Sequence, residues 1–344
     1  MSLAELLRER PIVQAPMAGG AATPALVAAV AGAGGTGFLA AGYLAPEVLA
    51  DQLGAVRDAG VGAFGVNVFV PGPPSDPDVA ASYRSDLESE AERYGTPVGA
   101  PVHDDDAWAA KIDLLAEASV PVVSFTFGCP EAAVLERLRA AGSATVVTVT
   151  TVGEAREAVA RGADGVCAQG TEAGGHRGAF DPVGNGGLPL RELLADVVGA
   201  VEVPVIAAGG IMTGADVAGA LDAGAAAAQL GTAFLRCPES GANPVHKAAL
   251  ADPAYTGTAV TWAFTGRPAR GLANRFIAEH PRRPFAYPEI HHMTKPLRAA
   301  AARAGDPGGM ALWAGEGFRA ASDDPAALVV ERLRREAAEA GRKV

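Results

Sequence analysis

The sequence predicts an α/β protein: eight parallel strands closed into a (β/α)8 barrel of the TIM type, with a cap segment inserted after strand eight. Three observations carry this expectation. Short runs rich in Val, Ala, Ile and Phe recur at residues 12–15, 36–40, 64–69, 120–126, 144–149, 165–169, 204–208 and 226–230. Helix-like Ala/Leu/Glu stretches such as 130–141, 153–161 and 213–223 separate them, and parallel neighbours need crossovers of that kind. The 43 glycines and only 6% aromatics suit tight turns and strands covered by helices. An open, doubly wound sheet is the architectural alternative, and the count of eight favours closure.

Taken in order, the first irregularity follows the third run. Residues 71–77 form a proline-rich loop, 82–94 read as a charged helix, and 97–104 read as an extended loop rather than a ninth strand. After Leu235 the strand–helix rhythm stops. Residues 237–305 are richer in His, Arg, Pro and aromatics and are assigned to a cap, or substrate, segment. That leaves 1–236 and 306–344 for the barrel. In the tail, 325–341, Ala327, Val330, Leu333 and Ala337 make one apolar stripe among charges, as expected of a closing helix.

Composition removes several function classes. A net charge of −11 argues against a nucleic-acid surface, because phosphate binding needs clustered positive charge. No run is long and apolar enough for a membrane span, and the N-terminal residues lack signal-peptide order, so a cytoplasmic protein with no membrane partner is expected. Cys129, Cys167 and Cys237 show no CxxC spacing, which indicates neither a disulfide framework nor a zinc knuckle. His291 and His292 are adjacent and diverge, and no further ligand follows at metal spacing, so no metal is expected. Monomer and homodimer both stay open.

In a barrel of this kind chemistry sits at the C-terminal ends of the strands. Asn67, Gln169 and Gln229 stand there in otherwise apolar runs. A buried amide without partners costs about 1–3 kcal/mol. Each therefore bonds to nearby backbone or faces a ligand, and a planar heteroaromatic ring would satisfy all three. Gly209 and Gly210 end the seventh run, and Leu230, Gly231 and Thr232 follow Gln229 at the eighth. Such turns let backbone amides approach an anion, with a following helix N-terminus adding its dipole, which points to a phosphate. The plainer reading is that the glycines only permit tight turns. Between these sites runs Gln169-Gly170-Thr171-Glu172-Ala173-Gly174-Gly175-His176. Its flanking glycines put the imidazole at a loop tip, and histidine can act near neutrality as acid, base or hydrogen-bond donor.

At these residues the chain resembles the nitronate monooxygenases, flavoenzymes formerly called 2-nitropropane dioxygenases. PIVQAPMAGG, FGVNVFVP, VVSFTFGCP, AQGTEAGGHRG, PVIAAGGI and AAAQLGTAFL match that family's segments in order, and WAFTGRPARGLANRFI and MALWAGEG match its later part. The resemblance implies non-covalent FMN and no metal. It carries cofactor contacts to Asn67, Gln169, Gly174, Gly209, Gly210, Gln229, Leu230, Gly231 and Thr232, with Ala15, Pro16 and Met17 facing the flavin ring. His176 matches the catalytic histidine, as base toward a nitroalkane or as orienting group toward a nitronate. The implied reaction oxidises an alkyl nitronate with O2 to a carbonyl compound and nitrite, without NAD(P)H. One departure concerns the substrate. Where the family's cap supplies Tyr, Tyr and Lys at four-residue spacing, this chain has Tyr287, His291 and Lys295, with Lys295 placed to meet a substrate carboxylate. The alternative is an FMN-dependent NAD(P)H reductase of a quinone or enoyl thioester, since such reductases share the AGGH loop and both glycine turns.

Overall fold

The computed structural model describes residues 2–184, 187–342 and 344. The strands are β1 (Ile12–Gln14), β2 (Thr36–Ala40), β3 (Phe64–Phe69), β4 (Val122–Thr126), β5 (Ala144–Val149) and β6 (Gly165–Gln169). They continue with β7 (Gly175–His176), β8 (Val205–Ala208), β9 (Ala227–Leu230), β10 (Thr258–Thr261) and β11 (Ala269–Leu272). Eight of them close a parallel barrel in the order β1-β2-β3-β4-β5-β6-β8-β9. β1 completes the ring: Val13 is in register with Thr36 of β2 on one side and Gln229 of β9 on the other.

Side chains alternate along each strand, and the two faces carry different cargo. Outward residues such as Leu39, Val66, Val123, Val147 and Val166 join the apolar layer shared with the surrounding helices. Inward residues near the strand starts, among them Val13, Phe38, Val122, Val146 and Ile206, pack with Leu3, Leu6 and Leu7 of the helix Leu3–Glu9, which stoppers that end. At about 1.5–3 kcal/mol for each fully buried Val, Leu, Ile or Phe, these two layers are the main source of stability. Nearer the strand ends the inward positions turn polar, with Asn67, Thr126, Thr148, Gln169 and Gln229.

Above that polar end lies an accessory layer built from more of the chain than 237–305. The helices Pro77–Asp86 and Glu88–Tyr94, from the stretch between β3 and β4, pack Tyr83 and Leu87 against Phe264, Phe276, Ile290 and Leu297. Glu90, wholly buried, accepts from Arg275 Nη2 at 2.9 Å and ties the two stretches together. Residues 310–317 also run beneath this layer: Leu272 N donates to Leu312 O at 2.9 Å, and Trp313 bridges Gly271. β7 leaves the barrel to join β11 and β10 in a three-stranded antiparallel sheet, with His176 opposite Ala269. His176 is therefore fixed by strand pairing rather than carried on a free loop tip.

The C-terminal helix Ala326–Glu339 closes the outer ring against the helices Gly214–Asp222 and Pro24–Gly32. Gly214 permits the close approach. A Cβ there would stand 2.3 Å from Leu333 O and 2.5 Å from Ala337 N. We expect Gly214→Ala to destabilise the protein by roughly 1–3 kcal/mol through this overpacking. Thermal denaturation measures it, and an unchanged midpoint would show that the two helices separate without cost.

Candidate active site

A cavity of about 470 Å³ opens over the C-terminal ends of the barrel strands, a volume in the range of small-molecule sites. Its walls include Ala15, Pro16 and Met17 after β1, Asn67 on β3, Gln169, Gly174 and His176 from β6 and β7, and Gly209 and Gly210 after β8. Gln229, Leu230, Gly231 and Thr232 come from β9, and His291 and Lys295 from the helix Glu289–Arg303. Of the residues selected from sequence only Tyr287 stands back from the cavity. It sits behind Tyr43, which does line it, with the two hydroxyls 3.0 Å apart.

The glycine turns leave donors unspent. Gly209 and Gly210 take φ of +115° and +72°, a region where a side chain is strained. Among the described residues the amides of Gly210 and Gly231 have no acceptor in the chain. Thr232 Oγ1 accepts from Gly315 N at 2.9 Å, which leaves its proton for the cavity. The helix after β8 adds less than the sequence suggests. Met212 N and Thr213 N donate to Asp216, and Gly214 N to Glu336, so its first amides are already neutralised. The anion-binding character rests on the turns and on Thr232.

The three strand-end amides divide. Asn67 Oδ1 accepts from Ser124 Oγ at 2.9 Å and Thr126 Oγ1 at 3.0 Å, so its Nδ2 remains to donate into the cavity. Gln229 Nε2 rests against Cys167 Sγ at 3.5 Å. Gln169 is occupied at both ends: Nε2 donates to His176 O at 3.1 Å and Oε1 accepts from Gly178 N at 2.8 Å. It braces the histidine segment, and its second amide proton is left for the cavity that it lines.

His176 is held from several sides. Its Nε2 lies 2.9 Å from Thr265 Oγ1, and that hydroxyl donates to Arg267 O at 3.1 Å. A hydroxyl has one proton, so Thr265 accepts from the ring. His176 is accordingly the Nε2–H tautomer, with Nδ1 bare. Phe127 (5.6 Å between ring centres), Tyr287 (5.9 Å) and Trp313 (5.5 Å) surround the imidazole. This enclosure, together with the positive charges of Arg267 and Arg298, pushes its pKa down to about 3. The ring is neutral at physiological pH.

The cavity is cationic. Among the described residues Lys295 and Arg298 line it and no carboxylate does. Arg267 lies behind, its guanidinium 4.0 Å over the Phe127 ring. Backbone strain accompanies this arrangement, with Tyr43 and Phe127 at φ of +68° and +80°. Tyr43 N donates to Asp106 Oδ1 at 2.9 Å, and the wholly buried Lys111 pairs with the same oxygen at 2.7 Å. Among the described residues no group of three or more His, Cys, Asp or Glu is placed to hold a metal, and no helix is long and apolar enough to cross a membrane.

Sequence reading missed Tyr43, Thr265, Arg267, Arg298 and Trp313. A signal existed for Arg298, which falls seven residues after His291 and three after Lys295, on the same helix face. Thr265 and Trp313 sat inside recognised motifs, yet nothing in their spacing says that they meet His176.

Comparison with known proteins adds the following. The family model for nitronate monooxygenase matches residues 1–336. A probable nitronate monooxygenase from Bacillus subtilis is 37% identical over 324 residues, covering 92% of each chain. One from Staphylococcus aureus is 37% identical over 340 residues, covering 94% of this chain and 93% of its own. Among solved structures, nitroalkane oxidase from Streptomyces ansochromogenes superposes with a TM-score of 0.94 at 52% identity, covering 96% of both chains. FabK from Thermotoga maritima is more distant, at 0.76 and 28%, covering 98% of this chain and 96% of its own.

Two enclosed histidines imply a pH dependence. His176 and His246, the latter pushed down to about 4 by burial, refuse protons that the unfolded chain takes up near pH 6.5. Stability present at neutral pH is therefore lost as the pH falls below about 6.5 toward those folded values, by about 1.4 kcal/mol per pH unit for each ring. We expect the thermal midpoint to fall between about pH 7 and 5, and more gently in His176→Asn. An identical slope in that variant would mean that His176 is protonated in the folded protein.

Proposed function

The chain belongs to the nitronate monooxygenase family and is an oxidoreductase, and from that membership we propose that it oxidises alkyl nitronates with O2 on non-covalently bound FMN, releasing a carbonyl compound and nitrite. The observation that carries this reading is a neutral histidine facing a cationic, carboxylate-free cavity. Such walls favour a substrate that already carries negative charge. A nitronate does so, and a nitroalkane does not.

The residues fit the flavin. Its phosphate would be held by the amides of Gly210 and Gly231 and the hydroxyl of Thr232. Asn67 Nδ2 and Gln229 would meet the polar edge of the ring system, whose face would rest on Ala15, Pro16 and Met17. Gly174 leaves room for this arrangement, since a Cβ there would meet Ala314 C and Gly315 N at 2.5 Å. FMN, when bound, supplies the redox chemistry toward substrate and O2. The chain's own residues bind and orient. His176 offers bare Nδ1 as hydrogen-bond acceptor, or as a base weakened by its low pKa, while Thr265 keeps the ring in that tautomer. A substrate entering as the nitronate needs no proton removed. One entering as the nitroalkane must give its α-proton to Nδ1, and the anion formed would raise the basicity of the ring as it develops.

The test is nitrite release and oxygen uptake by the flavin-loaded protein with ethylnitronate, propionate 3-nitronate and nitroethane, with and without NADH. Nitrite without NADH is expected. Bleaching of the flavin by NADH or NADPH with no nitrite formed would indicate a reductase instead. In His176→Asn we expect nitroethane turnover to fall by about 10²-fold or more, ethylnitronate turnover to fall less, and FMN to stay bound. Undiminished nitroethane turnover would remove His176 from the chemistry.

A further inference from the structure

Arg298 is a cavity-lining cation with no counter-ion among the described residues. Its Nε donates to Thr294 Oγ1 at 3.1 Å, and one Nη2 serves His291 O at 3.0 Å and His291 Nδ1 at 3.3 Å. Thr294 spends its own proton on Phe264 O, so it can only accept from the guanidinium. Among the described residues Nη1 has no partner, and no carboxylate lies within ion-pair distance of this arginine. A half-buried guanidinium facing the cavity without a compensating anion carries a desolvation cost, which an anionic ligand would offset.

The neighbour that aims it is His291. That ring stacks flat on Tyr43, 4.1 Å between centres at 6°. It is 6% exposed, and burial together with the Arg298 charge holds its pKa far below the ordinary value. It therefore stays neutral and keeps an acceptor at Nδ1. A protonated ring would repel the guanidinium instead of fixing it.

We propose that Arg298, positioned by His291 and Thr294, recognises the anionic oxygens of the substrate and selects the ionised nitronate over the neutral nitroalkane. This rests on the reading of the cavity as a nitronate site. Arg298 is the contacting residue, and His291 acts through it. The charge of Arg298 also reaches His176, so an anion held by Arg298 would offset that charge at both residues.

The experiment uses the flavin-loaded protein and nitrate, a planar, unreactive anion with the same paired oxygens. Calorimetric titration of nitrate is run on the wild type, R298M, H291F and H291N, alongside steady-state kinetics with ethylnitronate and nitroethane. We expect R298M and H291F to weaken nitrate about tenfold or more. KM for ethylnitronate should rise in parallel, with kcat and the nitroethane KM within about threefold. H291N, whose amide oxygen can replace Nδ1 as acceptor, should restore nitrate affinity to near the wild-type value. Failure of the wild type to bind nitrate, or equal affinity in R298M, overturns the proposal. Should R298M not fold, unchanged affinity in H291F overturns it, since that variant keeps the arginine and the stack on Tyr43. Nitrate binding that follows the variants while ethylnitronate goes unoxidised leaves the anion site standing and refutes the nitronate reading. Oxidation of ethylnitronate with R298M unaffected does the reverse.

Discussion

Because β1 pairs with β2 on one side and β9 on the other, every inward side chain of the barrel must share one lumen. The lumen has two ends with different requirements. One is stoppered by Leu3, Leu6 and Leu7 and is packed mainly with apolar residues. The other opens into the cavity and can hold Asn67, Thr126, Thr148, Gln169 and Gln229. The period of two along a strand then determines which residues reach the cavity. Slipping β3 by one position would point Asn67 into the helix layer and bring Val66 or Val68 inward. Closure thus converts a strand pattern into a ring of chemistry, and this ring needs a cover.

Much of this was legible from sequence, for a physical reason. Strand runs, crossover stretches and glycine turns are local, and their positions along the chain place Gly210, Gly231 and His176 at one end of a barrel. What escaped reading depends on contacts between distant segments. The strand that fixes His176 exists only because Ala269, more than ninety residues on, pairs with it. Gln169 lines the cavity as a strand-end amide was expected to, but its bonds to His176 O and Gly178 N, which brace the histidine segment, could not be read from its position. The stretch between β3 and β4 reads as an excursion from the barrel, but its Tyr83 and Leu87 complete the apolar interior of the accessory layer. Tyr43 gave no signal, because its left-handed backbone is held by a buried Asp106–Lys111 pair supplied from some sixty residues further along.

The charge distribution follows the same logic of commitment. The chain carries −11 overall, yet its cavity is positive, so the nearby carboxylates must be engaged elsewhere. Glu172 accepts from Leu190 N, Glu154 from Thr150 and Phe180 N, Asp106 from Lys111 and Tyr43 N, and Glu316 faces Arg270. Each is engaged by a group elsewhere in the chain. None remains to neutralise Arg298 or Lys295.

That separation explains why a neutral histidine suits the site. Were His176 an ordinary imidazole in water, it would be partly protonated near neutrality and would compete with the cations for the same anion. Enclosure by Phe127, Tyr287 and Trp313 removes its proton, and Thr265 then fixes which nitrogen is bare. The result is a hydrogen-bond acceptor opposite fixed positive charge. Such a pair is poorly suited to a neutral guest and well suited to one whose charge lies on oxygen while its carbon faces the ring. A group that must also accept a proton from carbon gains basicity only once negative charge has begun to form beside it. The same electrostatics that favour binding of the anion therefore leave the empty site unreactive toward protons from solvent.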